Sequence, residues 1–215
     1  MIVLGITGSI GMGKSTVAAL LRNRTIPVHE ADTTVHHLLG AEGKGVKPVA
    51  AAFPDALAKN EKNQSYIDRT LLSRVLADPA NLKKLEDILH PLVYADSEQF
   101  KTAMAQNGHM LIALDIPLLF ETQAEQRVDF IICASADPAI QRQRVLARPG
   151  MTEEKLAHIL SRQMPDAEKR RRADFILDTG KALDETRKDL DQILNTIAKK
   201  TGTTFTPATA LGSHR

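Results

Sequence analysis

The chain has 215 residues, of which 43% are hydrophobic and 25% charged, and its formal net charge is +2. That length suits one sizeable α/β domain with inserted subdomains and is ample to bury a core. A charge this close to neutral gives no reason to expect nucleic acid or a membrane surface as partner, and no apolar run approaches the roughly 20 residues of a membrane span.

The first element carries the most chemistry. Ile2 to Thr7 is an apolar run that predicts a buried strand, and Ser15 to Leu21 predicts a helix. Between them Gly8, Gly13, Lys14 and Ser15 satisfy G-x-x-x-x-G-K-[ST], the phosphate-binding loop of nucleotide-handling proteins. Such a match arises by chance in roughly one chain in a hundred of this length, and the flanking strand and helix sharpen it. Glycines let the loop curl so that successive N–H groups point at a phosphate, and the following helix adds the positive end of its dipole. Lys14 is then placed to reach the β- and γ-phosphates and the Ser15 hydroxyl to ligate a magnesium ion between them. No G-x-G-x-x-G occurs, which disfavours a dinucleotide fold. Met1 leads directly into the strand with no basic segment and no signal-peptide core, so a cytoplasmic location is expected.

Ile26 to Asp32 reads as a short second strand closed by a carboxylate. Beyond the carboxyl end of a parallel strand Asp32 could face phosphates; it could equally cap a helix over 33–39. From Gly40 to Ser65 the texture turns small and polar, punctuated by Gly43, Gly45, Pro48 and Pro54, an excursion from the sheet. Asp68 is expected to cap a segment carrying Leu71, Leu72, Val75 and Leu76. Pro79 then starts a helix with Leu82, Leu85, Ile88 and Leu89 at helical spacing. His90-Pro91 is expected to interrupt that helix by a kink or restart. On pattern alone His90 reads more readily as an ordinary helix residue than as a site residue.

Met110 to Asp115 predicts a third strand with the shape of a Walker B element, whose acid holds magnesium through its water shell. No glutamate follows Asp115 directly, which argues against a motor ATPase, and the absence of N-K-x-D argues against a GTPase switch. Leu118, Leu119 and Phe120 suit either an apolar substrate wall or core. Val128 to Ala134 predicts a fourth strand with Cys133 buried in it. Asp137-Pro138 starts a helix expected to carry Arg142, Arg144 and Arg148, with the last two on one face. The arginines suit an ordinary solvated helix end or a lid over a transferring phosphoryl group. Thr152 caps a further helix. Lys169 to Arg172 reads as a solvated helix end before a fifth strand, Ala173 to Asp178. A last helix over 183–198 shows Leu190, Ile193, Leu194 and Ile197 as its apolar stripe, and a frayed polar tail is expected beyond Lys200. The histidines lack ligand spacing, and adjacent His36 and His37 cannot share a helix face, so structural zinc is not expected.

Together these landmarks resemble the dephospho-coenzyme A kinase family from Ile2 to about Ala198. The marks are G-I-T-G-S-I-G-M-G-K-S-T at 5–16, Ala31-Asp32, L-E-D-I-L-H-P-L at 85–92, L-D-I-P-L-L-F-E at 114–121, Q-R-Q-R-V-L-A-R at 141–148, Arg162-Gln163-Met164-Pro165 and A-D-F-I-L-D at 173–178. The resemblance implies an α/β fold of the P-loop NTPase type with a mostly parallel five-stranded sheet, an inserted helical substrate-binding subdomain and a lid. It implies a core at 1–31, 108–134 and 173–199, an insertion over about 32–107, lid and flanking helices over about 135–172, and a tail at 200–215. It implies transfer of the γ-phosphoryl of ATP, with Mg2+, to the ribose 3′-hydroxyl of dephospho-coenzyme A. Gly8, Gly11, Met12, Gly13, Lys14, Ser15 and Thr16 would bind ATP, and Ser15 and Asp32 would serve the metal. Asp32 would accept the hydroxyl proton, with Lys14, Arg144 and Arg148 completing the catalytic set. Thr7, His90, Asp115, Leu118, Phe120 and Glu121 would shape the acceptor site, and no obligate protein partner is implied. Two positions depart from the family pattern: Pro149-Gly150 follows Arg148 where an acidic residue or asparagine is common, and Thr179 stands where asparagine is usual. The rival readings are another small-molecule kinase, acting on a nucleoside, nucleotide or sugar acid, and a non-catalytic ATP-binding switch.

Overall fold

The structure, a computed structural model, describes residues 1–76 and 78–203. In chain order its elements are β1 (Ile2–Thr7), α1 (Lys14–Arg22), β2 (Val28–Glu30), α2 (Ala31–Leu39), α3 (Val46–Ala52), β3 (Leu57–Lys59), β4 (Ser65–Ile67), α4 (Arg69–Val75) and α5 (Pro79–Gln106). They continue with β5 (Leu111–Asp115), β6 (Phe130–Ser135), α6 (Pro138–Leu146), α7 (Glu153–Ser161), α8 (Asp166–Arg172), β7 (Phe175–Asp178) and α9 (Leu183–Thr201). The chain divides into two compact units, one formed by Met1–His29 with the chain from Met104 onward, the other by Glu30–Ala103.

The first unit is built on a five-stranded sheet in the order β2-β5-β1-β6-β7. Strand β1 pairs in parallel with β5 on one side and β6 on the other, with Ile6 opposite Asp115 and Thr7 opposite Cys133. Strand β7 extends the sheet in parallel from β6. Parallel strands covered on both faces read as continuous apolar runs, and β5, buried at every position, is the example. Leu4, Ile6, Val17, Leu21, Ile132, Leu177, Leu190, Leu194 and Ile197 form its main core, drawing α1 and α9 onto the sheet. The chain runs to opposite sides of β1, so the loop leaving Thr7 starts at the switch point where such sheets bind ligands.

The second unit has its own core of Leu39, Val46, Val49, Phe53, Ile67, Leu72, Leu85 and Leu89. It contains an antiparallel hairpin, β3 with β4, where the sequence promised only an excursion. Asp68 does cap α4, its carboxylate accepting from the amides of Thr70 and Leu71.

Several local expectations are corrected. Asp32 neither closes a strand nor caps a helix: β2 stops at Glu30, which is the N-cap position, and Asp32 lies in the first turn of α2, where a negative charge suits the helix dipole. Helix α5 neither stops nor restarts at Pro91 but runs for 28 residues through it. One missing donor is a small part of so long a ladder, and Leu85, Leu89 and Ser97 bury the helix on both sides of the proline. Helix α6, capped by the Asp137 carboxylate as expected, ends at Leu146, so Arg148 is not on it and shares no helix face with Arg144. Arg148 precedes Pro149, and the proline ring disfavours helical dihedrals one residue upstream. The basic run 169–172 is the end of α8, but Lys169 within it is fully buried rather than solvated. Of the frayed tail expected beyond Lys200, Thr201 still belongs to α9, and the part from 204 onward lies outside the described residues.

Candidate active site

The loop between β1 and α1 forms an anion cradle from backbone. Gly11 and Gly13 have φ of 76° and 80°, which L side chains rarely adopt. At Gly13 a Cβ would also lie 2.5 Å from the Thr179 hydroxyl, so the neighbour as well as the dihedral demands glycine. Gly13 is the N-cap of α1, its carbonyl accepting from the amides of Thr16 and Val17. The amides of Gly11, Gly13, Lys14 and Ser15 meet no acceptor among the described residues. Four open donors at the start of a nine-residue helix attract an anion through both hydrogen bonds and the helix dipole.

Lys14 reaches Asp115 at the end of β5, Nζ to Oδ1 2.6 Å, where the carboxylate is buried. The two motifs of the first unit thus meet directly. The Ser15 hydroxyl is exposed beside them, Thr16 is half-buried, and Met12 is buried with its sulfur against the Ala136 amide. Thr7 is fully buried and donates to the Pro117 carbonyl at 3.2 Å, fastening the loop's origin to the segment after β5.

Arg144 is held against the cradle. Its guanidinium donates to the Thr179 carbonyl at 2.7 Å and hydroxyl at 3.2 Å, and lies 3.5 Å from the Gly11 carbonyl. Arg148 is exposed and donates to no described residue through its side chain. Arg142, grouped with them by sequence, pairs instead with Glu153.

The segment after Asp115 is held by its own packing. Phe120 is buried with Leu119, Ala124 and Ile131, and the Arg172 guanidinium lies 4.7 Å over its ring. Glu121 pairs with buried Lys169 at 2.8 Å and accepts from the Met164 amide, while Lys169 also donates to the Pro117 carbonyl. Leu118 is half-buried.

Asp32 and His90 belong to the second unit. The Asp32 carboxylate is exposed and engages no hydrogen bond or ion pair among the described residues, although Glu30 two residues earlier accepts from Thr33. His90 is exposed on α5. Cys133 is buried, and that burial pushes its thiol up to about 12, so it is inert as a nucleophile.

Three polar residues around the cradle were not picked out as site residues by the sequence. Gln141 donates to the Ile10 carbonyl at 2.7 Å, Gln163 accepts from the Ile10 amide at 3.0 Å, and Thr179 donates to the Met12 carbonyl at 2.8 Å. The signal available was their presence in Q-R-Q-R and R-Q-M-P and the departure at Thr179.

The donor set fits a magnesium polyphosphate. Hard oxygen ligands from Ser15 and Asp115, beside open amides and Lys14, suit an ion that takes one or two protein ligands and completes its shell with phosphate and water.

Comparison with known proteins agrees with this chemistry. The family model described as dephospho-CoA kinase matches residues 2–185. A dephospho-CoA kinase from Mesorhizobium japonicum is 49% identical over 94% of this chain and 100% of its own length. One from Rhizobium meliloti is 50% identical over 91% of this chain and 97% of its own. Among solved structures, TT1252 from Thermus thermophilus superposes with a TM-score of 0.73 at 34% identity, covering 93% of this chain and 97% of that one. A dephospho-CoA kinase from Campylobacter jejuni gives 0.68 at 24% identity over 93% and 98%, a likeness of fold.

Proposed function

Because the chain belongs to the dephospho-CoA kinase family and so phosphorylates dephospho-CoA at the expense of ATP, we propose that Asp32 accepts the proton of the acceptor's ribose hydroxyl. What supports this is a carboxylate in the turn after β2 that no described partner engages, and is therefore open to a substrate proton. The cradle amides and Lys14 hold the β- and γ-phosphates and stabilise the charge that spreads over the transferring group. Lys14 exchanges its Asp115 partner for phosphate oxygens as nucleotide enters. Ser15 and Asp32, with Asp115, would hold Mg2+, which would supply charge neutralisation of the phosphates. Arg144 steadies the cradle, and Arg148, exposed beyond α6, is the arginine available to close on the phosphoryl group. His90, with Thr7, Leu118, Phe120 and Glu121, shapes or supports the acceptor site, Phe120 and Glu121 by fixing the segment that carries Leu118.

A panel of acceptors tests the function. ATP consumption is expected with dephospho-CoA and not with adenosine, AMP, shikimate or gluconate, and appreciable AMP phosphorylation would contradict it. Chelation should abolish turnover and added Mg2+ restore it. For the role of Asp32, Asp32→Ala should retain ADP binding while turnover falls on the order of 100-fold or more.

A further inference from the structure

Each peptide unit is a rigid trans plane, so its C=O and N–H point to opposite sides, and pinning one aims the other. Two units of the cradle are pinned in this way. The Ile10 carbonyl accepts from the Gln141 amide at 2.7 Å, and the N–H of the same peptide unit is that of Gly11. The Met12 carbonyl accepts from the Thr179 hydroxyl at 2.8 Å, and its N–H is that of Gly13. Gly11 and Gly13 are among the amides that meet no acceptor. We infer that Thr179, seconded by Gln141, is a positioning residue for phosphate binding: by holding carbonyls from outside the loop, the two side chains aim the Gly11 and Gly13 amides at the polyphosphate.

Thr179 is built for such a task. It is buried, and its own amide is fixed by the Ser135 carbonyl at the end of β6. Its single hydroxyl proton has two carbonyls within reach, Met12 at 2.8 Å and Ser135 at 3.3 Å, and the shorter takes it. Arg144 donates to the oxygen of the same hydroxyl and to the Thr179 carbonyl, which turns the proton away from the guanidinium and toward Met12. Glycines at 11 and 13 leave the backbone free to rotate, so without outside anchors the amides would be aimed only as nucleotide binds, at a cost in affinity.

Thr179→Val keeps the shape and removes the hydroxyl, while Thr179→Ser restores it. By calorimetric titration with ADP, Thr179→Val should weaken binding about 5- to 10-fold, the worth of one hydrogen bond in a preorganised site. KM for ATP should rise in step while KM for dephospho-CoA stays within about twofold, a split that general loss of structure would not give. Thr179→Ser should bind ADP within about twofold of the native chain. Native-like ADP affinity in Thr179→Val, or equal losses in the valine and serine variants, would overturn the inference. Should Thr179→Val fail to fold, Gln141→Leu carries the test on the other anchor: a similar loss of ADP affinity supports the inference, and none overturns it. The inference rests on the kinase reading of the loop but not on Asp32, because ADP binding is read without turnover.

Discussion

The phosphate cradle and the acid at position 32 are built in opposite ways. The cradle is backbone, closed around by buried and half-buried side chains: Gly13 cannot accept a Cβ beside Thr179, and Arg144, Gln141 and Gln163 each fasten it. Asp32 is one exposed carboxylate in the first turn of a short helix, engaged by no described neighbour. A site made of backbone is sensitive to shape and spread over many residues. A site made of one side chain is sensitive to chemistry and concentrated in one.

That contrast can be broken by substitution. Lys14→Ala removes the only side-chain cation of the loop motif and should lower kcat/KM for ATP on the order of 1000-fold, with affinity and turnover both impaired. Unchanged ADP affinity in that variant would mean the backbone suffices alone. Gly13→Ala asks the loop to accept a left-handed alanine against Thr179. It should weaken ADP binding at least about 10-fold and lower the free energy of unfolding by about 1–2 kcal/mol, measured by denaturant titration. Lys169→Ala sharpens the comparison from outside the cradle: leaving Glu121 without its buried partner should cost about 3 kcal/mol of stability. ADP affinity of the folded fraction should move far less. Cys133 sets the lower end. Its thiol titrates at about 12 in the folded chain against 9.0 for the ordinary group, so between those values the unfolded chain binds fewer protons and stability falls with rising pH. Replacing Cys133 by alanine should flatten that alkaline decline slightly, and at pH 8 the native thiol should resist labelling until the protein unfolds.

The same contrast explains what could be read from the sequence. The loop was legible because its residues are chosen by dihedral angle and phosphate chemistry, both local. The buried strands were legible as apolar runs, and the caps at Asp68 and Asp137 as residue types at fixed offsets. The hairpin was missed because three residues per strand, with Leu57 exposed, show no alternation to detect. Helix α2 began earlier than expected because Glu30 takes the N-cap position without a capping hydrogen bond, leaving no recognisable start signal. Lys169 was read as solvated because buried lysines are rare, and its partner Glu121 is 48 residues away. Thr179 was visible only as a departure from a pattern, since its partners at Met12 and Arg144 come from distant parts of the chain.

The division of labour between an acid that handles the proton and a loop that holds the phosphates is tested most directly by single-turnover phosphoryl transfer in Asp32→Asn, with ATP and dephospho-CoA both saturating. The amide preserves the size of the side chain and one acceptor oxygen and removes its basicity. The transfer step should slow on the order of 100-fold or more with ADP affinity unchanged. Transfer within a few-fold of the native rate would contradict the assignment.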